Sequence, residues 1–169
     1  TNCFSCPSNG ECKLQDLCYE YGVKETSCPG EMSNRPVDDS NPFFTYDPNL
    51  CILCHRCVNT CHKIVGCGAI DTMDRGFESV ISPAFGMPWR ESNCESCGNC
   101  VAACPTGALT SKRKQNYRPW QVEKKVLTTC PHCAVGCQYY LMVKDNKVVG
   151  VEAADGPSNH NTLCVKGRY

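Results

Sequence analysis

The apolar positions of this chain fall in short runs, none approaching the ~18–20 residues that would cross a membrane. Lys13 to Tyr21 reads as a helix. Residues 29 to 49 are punctuated by Pro29, Gly30, Pro36, Asp38, Asp39, Asn41, Pro42 and Pro48, a turn-rich connection that Phe43, Phe44 and Tyr46 are expected to pin to the core of the next unit. The pattern then repeats. Cys57-Val58 to Ala69-Ile70 aligns with Cys100-Val101 to Ala108-Leu109, and each copy predicts a short helix followed by Gly-Ala-aliphatic leading into a strand. Residues 71 to 93 lengthen the join between the copies. Near the end, Gln138 to Val143 and Val148 to Ala153 are extended runs joined at Asp145-Asn146, a hairpin signal. Lys112, Arg113, Lys114, Arg118, Lys124 and Lys125 surround Pro119 and Trp120, and residues 111 to 126 read as a solvated linker. The predicted class is α+β, divided among small units.

Such short elements leave the core thin. Hydrophobic residues make up 41% of the 169, but that figure counts 18 cysteines, several times ordinary usage. Cysteine at that level means a disulfide scaffold or bound metal, and spacing decides between them. Cys51-Ile-Leu-Cys54-His-Arg-Cys57-Val-Asn-Thr-Cys61 and Cys94-Glu-Ser-Cys97-Gly-Asn-Cys100-Val-Ala-Ala-Cys104-Pro105 are both C-x2-C-x2-C-x3-C. In that run three thiolates wrap one corner of a cubane, and the fourth, one helical turn on, serves the partner cluster. One 4Fe–4S cluster is therefore assigned to Cys51, Cys54, Cys57 and Cys104, and another to Cys94, Cys97, Cys100 and Cys61. Zinc sites use two C-x2-C pairs per metal and fit triplet-plus-one runs poorly. Clusters must then supply much of the folding free energy, so the apo chain is expected to be largely unfolded.

Two further groups flank this unit. Cys3, Cys6 and Cys12 form C-x2-C-x5-C without a fourth cysteine at a suitable distance. Cys18 and Cys28 are the candidates, but the predicted helix carries Cys18 away from the loop; a zinc or disulfide knot is the alternative. At the other end, Cys130-Pro-His-Cys133-Ala-Val-Gly-Cys137 and Cys164, returning after the hairpin, complete a fourth cubane site, with a zinc ribbon as the alternative. Cys67, in Val65-Gly66-Cys67-Gly68-Ala69, reads as packing, where a small apolar residue would serve. Cys18, Cys28 and Cys67 thus remain structural or free thiols. His55, His62 and His132 adjoin ligands and are expected to tune or shield clusters, not to bind iron. The basic strip within 111 to 126 could also offset the negative charge of a four-thiolate cluster.

The 17 acidic and 17 basic residues cancel, so no field for nucleic acid or a membrane surface is implied. The sequence shows no signal peptide and reads as beginning in mid-motif.

Gly10-Glu11-Cys12-Lys13-Leu14-Gln15-Asp16 resembles the His-plus-three-Cys cluster segment of iron hydrogenases and of the large iron–sulfur subunit of respiratory NADH dehydrogenase. That resemblance implies a histidine ligand two residues before Thr1, joining Cys3, Cys6 and Cys12. The Cys130–Cys137 run and Leu163-Cys164-Val165-Lys166-Gly167-Arg168 look like the cluster domain of molybdopterin-dependent oxidoreductases. Combined with the two-cluster unit, they resemble the catalytic subunit of cytosolic, multi-subunit formate dehydrogenases, NAD(P)-linked or paired with iron hydrogenases.

The resemblance implies five segments: a His/Cys3 cluster segment at 1–28, a connection at 29–49, a two-cluster ferredoxin-like domain at 50–110, a linker at 111–126, and the start of a molybdopterin-oxidoreductase-type cluster domain at 127–169. It implies four 4Fe–4S clusters in these residues. A molybdenum or tungsten bis(pterin guanine dinucleotide), with every catalytic residue, would lie beyond Tyr169. Lys166 matches the lysine that stands between cluster and pterin. The implied function is an electron relay in a cytoplasmic formate dehydrogenase or CO2 reductase, feeding a flavin or iron–sulfur NAD(P)-reducing subunit or an iron hydrogenase. No nucleic-acid partner and no membrane span are expected. The alternatives are an NADH dehydrogenase large subunit, whose middle lacks two complete C-x2-C-x2-C-x3-C runs; an iron hydrogenase, which would continue into active-site cysteines; and, from another class, a zinc-binding structural protein.

Overall fold

The computed structural model describes residues 3–113 and 117–169; Thr1, Asn2 and Lys114 of the predicted basic linker lie outside them. The internal repeat is visible in the backbone. Helices α2, Arg56–Asn59, and α3, Asn99–Ala103, occupy matching places, and each starts from a left-handed residue, His55 (φ 58°) or Gly98 (φ 71°). Two positions earlier the match continues, with Leu53 (φ 51°) and Ser96 (φ 55°). Left-handed backbone costs a non-glycine residue about 1–2 kcal/mol. Leu53, Ser96 and His55 all bear that cost in loops that wind round cysteines, which is where strain with a purpose is found.

The two copies then diverge. After Cys104 the chain turns extended and enters Pro105, which cannot continue a helix. After α2 it runs instead through a π-helical turn, Thr60–Val65, closed by left-handed Gly66. Beyond these points the copies converge again on strands. β1, Phe44–Tyr46, pairs antiparallel with β4, Leu109–Ser111. β2, Asp71–Met73, pairs antiparallel with β3, Val80–Ser82. The connection therefore contributes one strand, β1, and the join two, β2 and β3. Phe44, Tyr46, Ile70, Ile81, Trp89 and Leu109 form one buried cluster with Cys57 and Cys100. Phe44 meets Trp89 edge to face at 5.2 Å. Burying side chains such as Phe44 and Ile81 contributes roughly 1.5–3 kcal/mol each, so this small core holds the frame of the cysteine loops.

α1, Lys13–Glu20, begins at Cys12, whose extended backbone ends the first cysteine loop. The last unit is a three-stranded antiparallel sheet of β5 (Lys124–Thr129), β6 (Gln138–Lys144) and β7 (Lys147–Ala153), in that spatial order. Asp145 (φ 50°) and Asn146 (φ 57°) make the two-residue turn whose twist suits a hairpin. α4, Val165–Arg168, follows Cys164.

The solvated linker read over 111 to 126 needs correction. Its end is the edge strand β5, which starts with two lysines and stays almost wholly exposed. An edge strand is held by backbone hydrogen bonds and takes lysines well, so its side chains carry no apolar alternation to read. Tyr117 is buried, Arg118 donates to the Pro7 carbonyl, and the Trp120 ring lies over Gly10. This segment braces the first cysteine loop. Among the described residues no helix is long and apolar enough to cross a membrane.

Candidate metal centres

The repeat builds two cavities. One is lined by Cys51, Cys54, Cys57 and Cys104, with Tyr46, His55, Ile81 and Thr106 among its walls. The other is lined by Cys94, Cys97, Cys100 and Cys61, with Cys67, Ile70 and Trp89 beside them. Each cavity thus takes three thiols from one copy and a fourth from the other, because α3 packs against both α2 and the π-helical turn that follows it.

Donors aim at these sulfurs. The Leu53 N–H reaches Cys51 Sγ at 3.4 Å and, in the equivalent place, the Ser96 N–H reaches Cys94 Sγ at 3.4 Å. The Ala69 N–H reaches Cys61 Sγ at 3.3 Å. Tyr46 turns a buried hydroxyl, without a hydrogen-bond partner of ordinary geometry, towards Cys51, and the contact favours the Cys51 thiolate. Burial works the other way. It pushes Cys57 up to about 12 and Cys100 well above the ordinary thiol range, and the neighbouring thiols add to both shifts. Cys51, Cys61 and Cys94 are raised for the same first reason.

Four anionic sulfurs cannot share such a space unless cations join them, and thiolates are the form iron binds. Among the described residues no three His, Cys, Asp or Glu side chains converge closely enough for a single metal ion. A mononuclear zinc site draws on two C-x2-C pairs, which these triplet-plus-one sets of thiols do not supply. Sulfur-lined space with N–H groups directed at sulfur fits a 4Fe–4S cluster in each cavity.

The outer groups adjoin this pair at opposite ends. Cys3 and Cys6 share a turn, the Cys6 N–H bonding the Cys3 carbonyl at 3.2 Å. Gln15 reaches back from α1, accepting from the Gly10 N–H at 2.9 Å and donating to Asn9 at 2.8 Å, so it ties the loop between Cys6 and Cys12. Cys12 donates its thiol proton to the Pro105 carbonyl at 3.5 Å. Gly107 meets Cys6 so closely that a Cβ there would lie 2.4 Å from its sulfur. The first group therefore stands against the loop that follows Cys104.

At the other end, the Cys130 N–H bonds the Cys137 carbonyl at 2.8 Å and both cysteines pack with Leu163, while the ionised form of Cys137 is disfavoured by burial and then by Cys130, Cys133 and Cys164. Asn99 clamps this group to the second cavity: it donates to the Leu163 carbonyl at 3.0 Å and accepts from the Leu163 N–H at 3.2 Å. Arg168 bonds the Cys97 carbonyl at 2.9 Å and Asn99 at 2.6 Å. The four groups are consequently strung in one order, from Cys3/Cys6/Cys12 through the two cavities to Cys130/Cys133/Cys137/Cys164.

The remaining expected residues sort by geometry. His55 hydrogen-bonds Thr72 and lines the first cavity, and His62 bonds the Ile70 carbonyl at 2.9 Å. His132 is exposed between Cys130 and Cys133. Cys18 is carried on α1 and Cys28 is exposed. Cys67, expected only to pack, is half-buried on the wall of the second cavity and donates to the Asn93 carbonyl at 3.3 Å. Lys166 is exposed on α4. The roles of Tyr46, Asn99 and Arg168 are not legible in the sequence, because nothing in their spacing announces what a distant loop will bring to them. Gln15 stands inside its motif, but only the folded loop shows what it ties.

Three families match along the chain. Residues 1–27 match the NADH-ubiquinone oxidoreductase-G iron–sulfur binding region, residues 41–110 the ferredoxin-like domain of NADH-quinone oxidoreductase subunit 3, and residues 123–169 the molybdopterin oxidoreductase Fe4S4 domain. The chain is 41% identical over 169 residues to the NADPH-Fe(3+) oxidoreductase subunit alpha of Geobacter sulfurreducens, covering 99% of this chain and 20% of that protein. It is 31% identical over 203 aligned positions to a putative formate dehydrogenase of Staphylococcus aureus, covering 96% of this chain and 20% of that one. A solved NAD+-reducing NiFe-hydrogenase superposes with a TM-score of 0.63 at 28% identity, over 70% of this chain and 50% of the hydrogenase chain. The chain spans about a fifth of the length of these curated relatives. It is an iron–sulfur region of the type found in NADH-quinone oxidoreductase G and molybdopterin oxidoreductase subunits.

Proposed function

We propose that these residues relay electrons through four 4Fe–4S clusters in a formate dehydrogenase or CO2 reductase subunit, between a molybdenum or tungsten pterin site and an NAD(P)-reducing or hydrogenase partner. The observation that carries the relay is the single-file order of the four thiol groups, with adjoining groups in direct contact through Pro105, α2 against α3, and Asn99. Cys3, Cys6 and Cys12 with an upstream histidine, the two cross-ligated sets, and Cys130, Cys133, Cys137 and Cys164 would hold the clusters. When bound, the clusters supply one-electron carriers whose potentials follow ligand type, burial and hydrogen bonds to sulfur. The chain contributes the donors at Leu53, Ser96, Ala69 and Tyr46, which favour thiolate, and the apolar walls at Ile81 and Trp89, which keep water out.

The formate step draws support from the molybdopterin-type match at 123–169, the likeness to the Staphylococcus protein, and Lys166 two residues after Cys164. An ammonium at that place is suited to a pterin edge and to the charge of an added electron. The likeness to the Geobacter protein favours a second reading, in which the same relay is reduced by NADPH and formate is no substrate. The full-length complex distinguishes them. Stopped-flow bleaching of cluster absorption by formate, slowed at least about tenfold (~1.4 kcal/mol) in Lys166→Ala while dithionite reduction stays complete, is the expected result. Bleaching by NADPH alone would establish the second reading. Iron analysis should give about 16 iron atoms per chain, and about half that number would remove two of the four clusters.

A further inference from the structure

The internal repeat identifies a counterpart for Cys67. Gly68-Ala69-Ile70 aligns with Gly107-Ala108-Leu109, so the position before each glycine is Cys67 in one copy and Thr106 in the other. Thr106 lines the first cavity, and its hydroxyl lies 3.6 Å from Cys104 Sγ, the sulfur that crosses over from the second copy. Cys67 lines the second cavity beside Cys61, the sulfur that crosses over from the first. The backbone holds it there. The N–H groups of Cys67 and Gly68 both bond the Cys61 carbonyl, at 3.1 and 3.4 Å. The Cys67 thiol reaches the Asn93 carbonyl, one residue before Cys94, so it bridges the two ends of the ligand set. Electrostatically it bears on both Cys61 and Cys94. The second cavity therefore offers five thiols where a 4Fe–4S cluster takes four, and the first cavity offers four and a hydroxyl.

We propose that Cys67 is an alternative iron ligand of the second cavity, able to take over the corner served by Cys61. The inference rests on the reading that Cys94, Cys97, Cys100 and Cys61 hold a 4Fe–4S cluster. In the exchange the Fe–Sγ bond to Cys61 breaks, an Fe–Sγ bond to Cys67 forms, and the Cys67 thiol proton passes to the departing Cys61 thiolate. No electron changes hands. The direction of exchange is set by access: Cys61 accepts the Ala69 N–H, which favours it as the resident ligand, whereas the thiol of Cys67 is spent on a carbonyl it can leave.

The test uses the full-length subunit, purified anaerobically, as wild type, Cys61→Ala, Cys67→Ala, Cys61→Ala/Cys67→Ala and Cys94→Ala/Cys97→Ala. Iron content, EPR of the reduced protein and iodoacetamide footprinting by mass spectrometry are read together, with the EPR signal of the first cavity as the control for folding. Cys67→Ala is expected to keep its iron. Cys61→Ala is expected to keep its iron too, with altered g values, and the double variant to lose about four iron atoms. In the wild type Cys67 should be alkylated while Cys61 is protected; in Cys61→Ala, Cys67 should become protected.

Equal iron loss in Cys61→Ala and in the Cys61→Ala/Cys67→Ala double variant overturns the proposal, as does a Cys67 that stays alkylated in Cys61→Ala. A Cys61→Ala/Cys67→Ala variant that keeps all its iron overturns it as well. Retention of every cluster signal in Cys94→Ala/Cys97→Ala overturns the underlying cluster reading, a separate failure.

Discussion

The two cavities of the ferredoxin-like unit are one design carried out twice with different neighbours. Both are reached by C-x2-C-x2-C-x3-C, both turn the backbone left-handed at the same two places, and both aim an N–H at their first sulfur from 3.4 Å. They differ where the rest of the chain meets them. At the residue after the second cysteine the first copy has His55, whose ring bonds Thr72, and the second has Gly98. A Cβ on Gly98 would lie 2.4 Å from the Tyr169 hydroxyl and 2.6 Å from Arg168 Cδ, so glycine there is what lets α4 and the last thiol group dock. Beside the crossing sulfur the first cavity has Thr106 and the second has Cys67. Ligand spacing is thus a property of each loop, whereas the neighbours distinguish a cavity that faces the first group from one that faces the last.

The largest effect expected from this difference is in Cys104→Ala. Thr106 cannot replace a thiolate, so the first cavity should lose about four iron atoms and its EPR signal, while the cluster held by the adjacent Cys94–Cys100 loop survives. Mössbauer spectra showing the loss at the Cys94–Cys100 cluster instead would reverse the cross-ligation. Nearly as large is the expected repair. Cys104→Ala/Thr106→Cys gives the first cavity the arrangement of the second, and should regain most of that iron. If the double variant stays empty, the thiol at that position is not sufficient and the two cavities differ in shape as well.

A smaller effect separates His55 from Gly98. Gly98→Ala combines left-handed backbone with a clash against α4, and should cost about 1–3 kcal/mol, read as a lower urea midpoint for bleaching of the cluster absorption. His55→Gly relieves the left-handed cost but frees the unfolded chain, and should stay within about 1 kcal/mol of the parent. Equal losses in both would remove docking of α4 as the reason for the glycine.

The smallest effect concerns protons. Cys57, pushed up to about 12 by burial and then by its thiol neighbours, and Cys100, raised well above its ordinary value by the same causes, are protonated at neutral pH when no metal is bound. Because the raised value favours the protonated form, metal binding must expel these protons, and cluster retention strengthens as pH rises and weakens as it falls. Anaerobic reconstitution in weak buffer should release about one proton per ligand thiol in both cavities. A pH-stat trace with no acid release would show the thiols already ionised.

The sequence alone determined the chemistry. Cysteine spacing within each loop is local, a thiolate every third residue can only wrap a small inorganic centre, and the periodic copy of that run in residues 51 to 61 and 94 to 104 announced a pair. The short helices, the Gly-Ala-aliphatic entries into strands and the Asp145-Asn146 hairpin were legible for the same reason, since each is decided by a few consecutive residues. Tertiary structure decided everything that depends on distance along the chain: β1 against β4, the exposed edge strand β5 whose pairing leaves no side-chain pattern, and the single-file order of the thiol groups. Cys67 shows the boundary between the two. As one cysteine among 18 it looked like packing, and only the folded repeat, which stands it where Thr106 stands beside Cys104, gave it a neighbour on which to act.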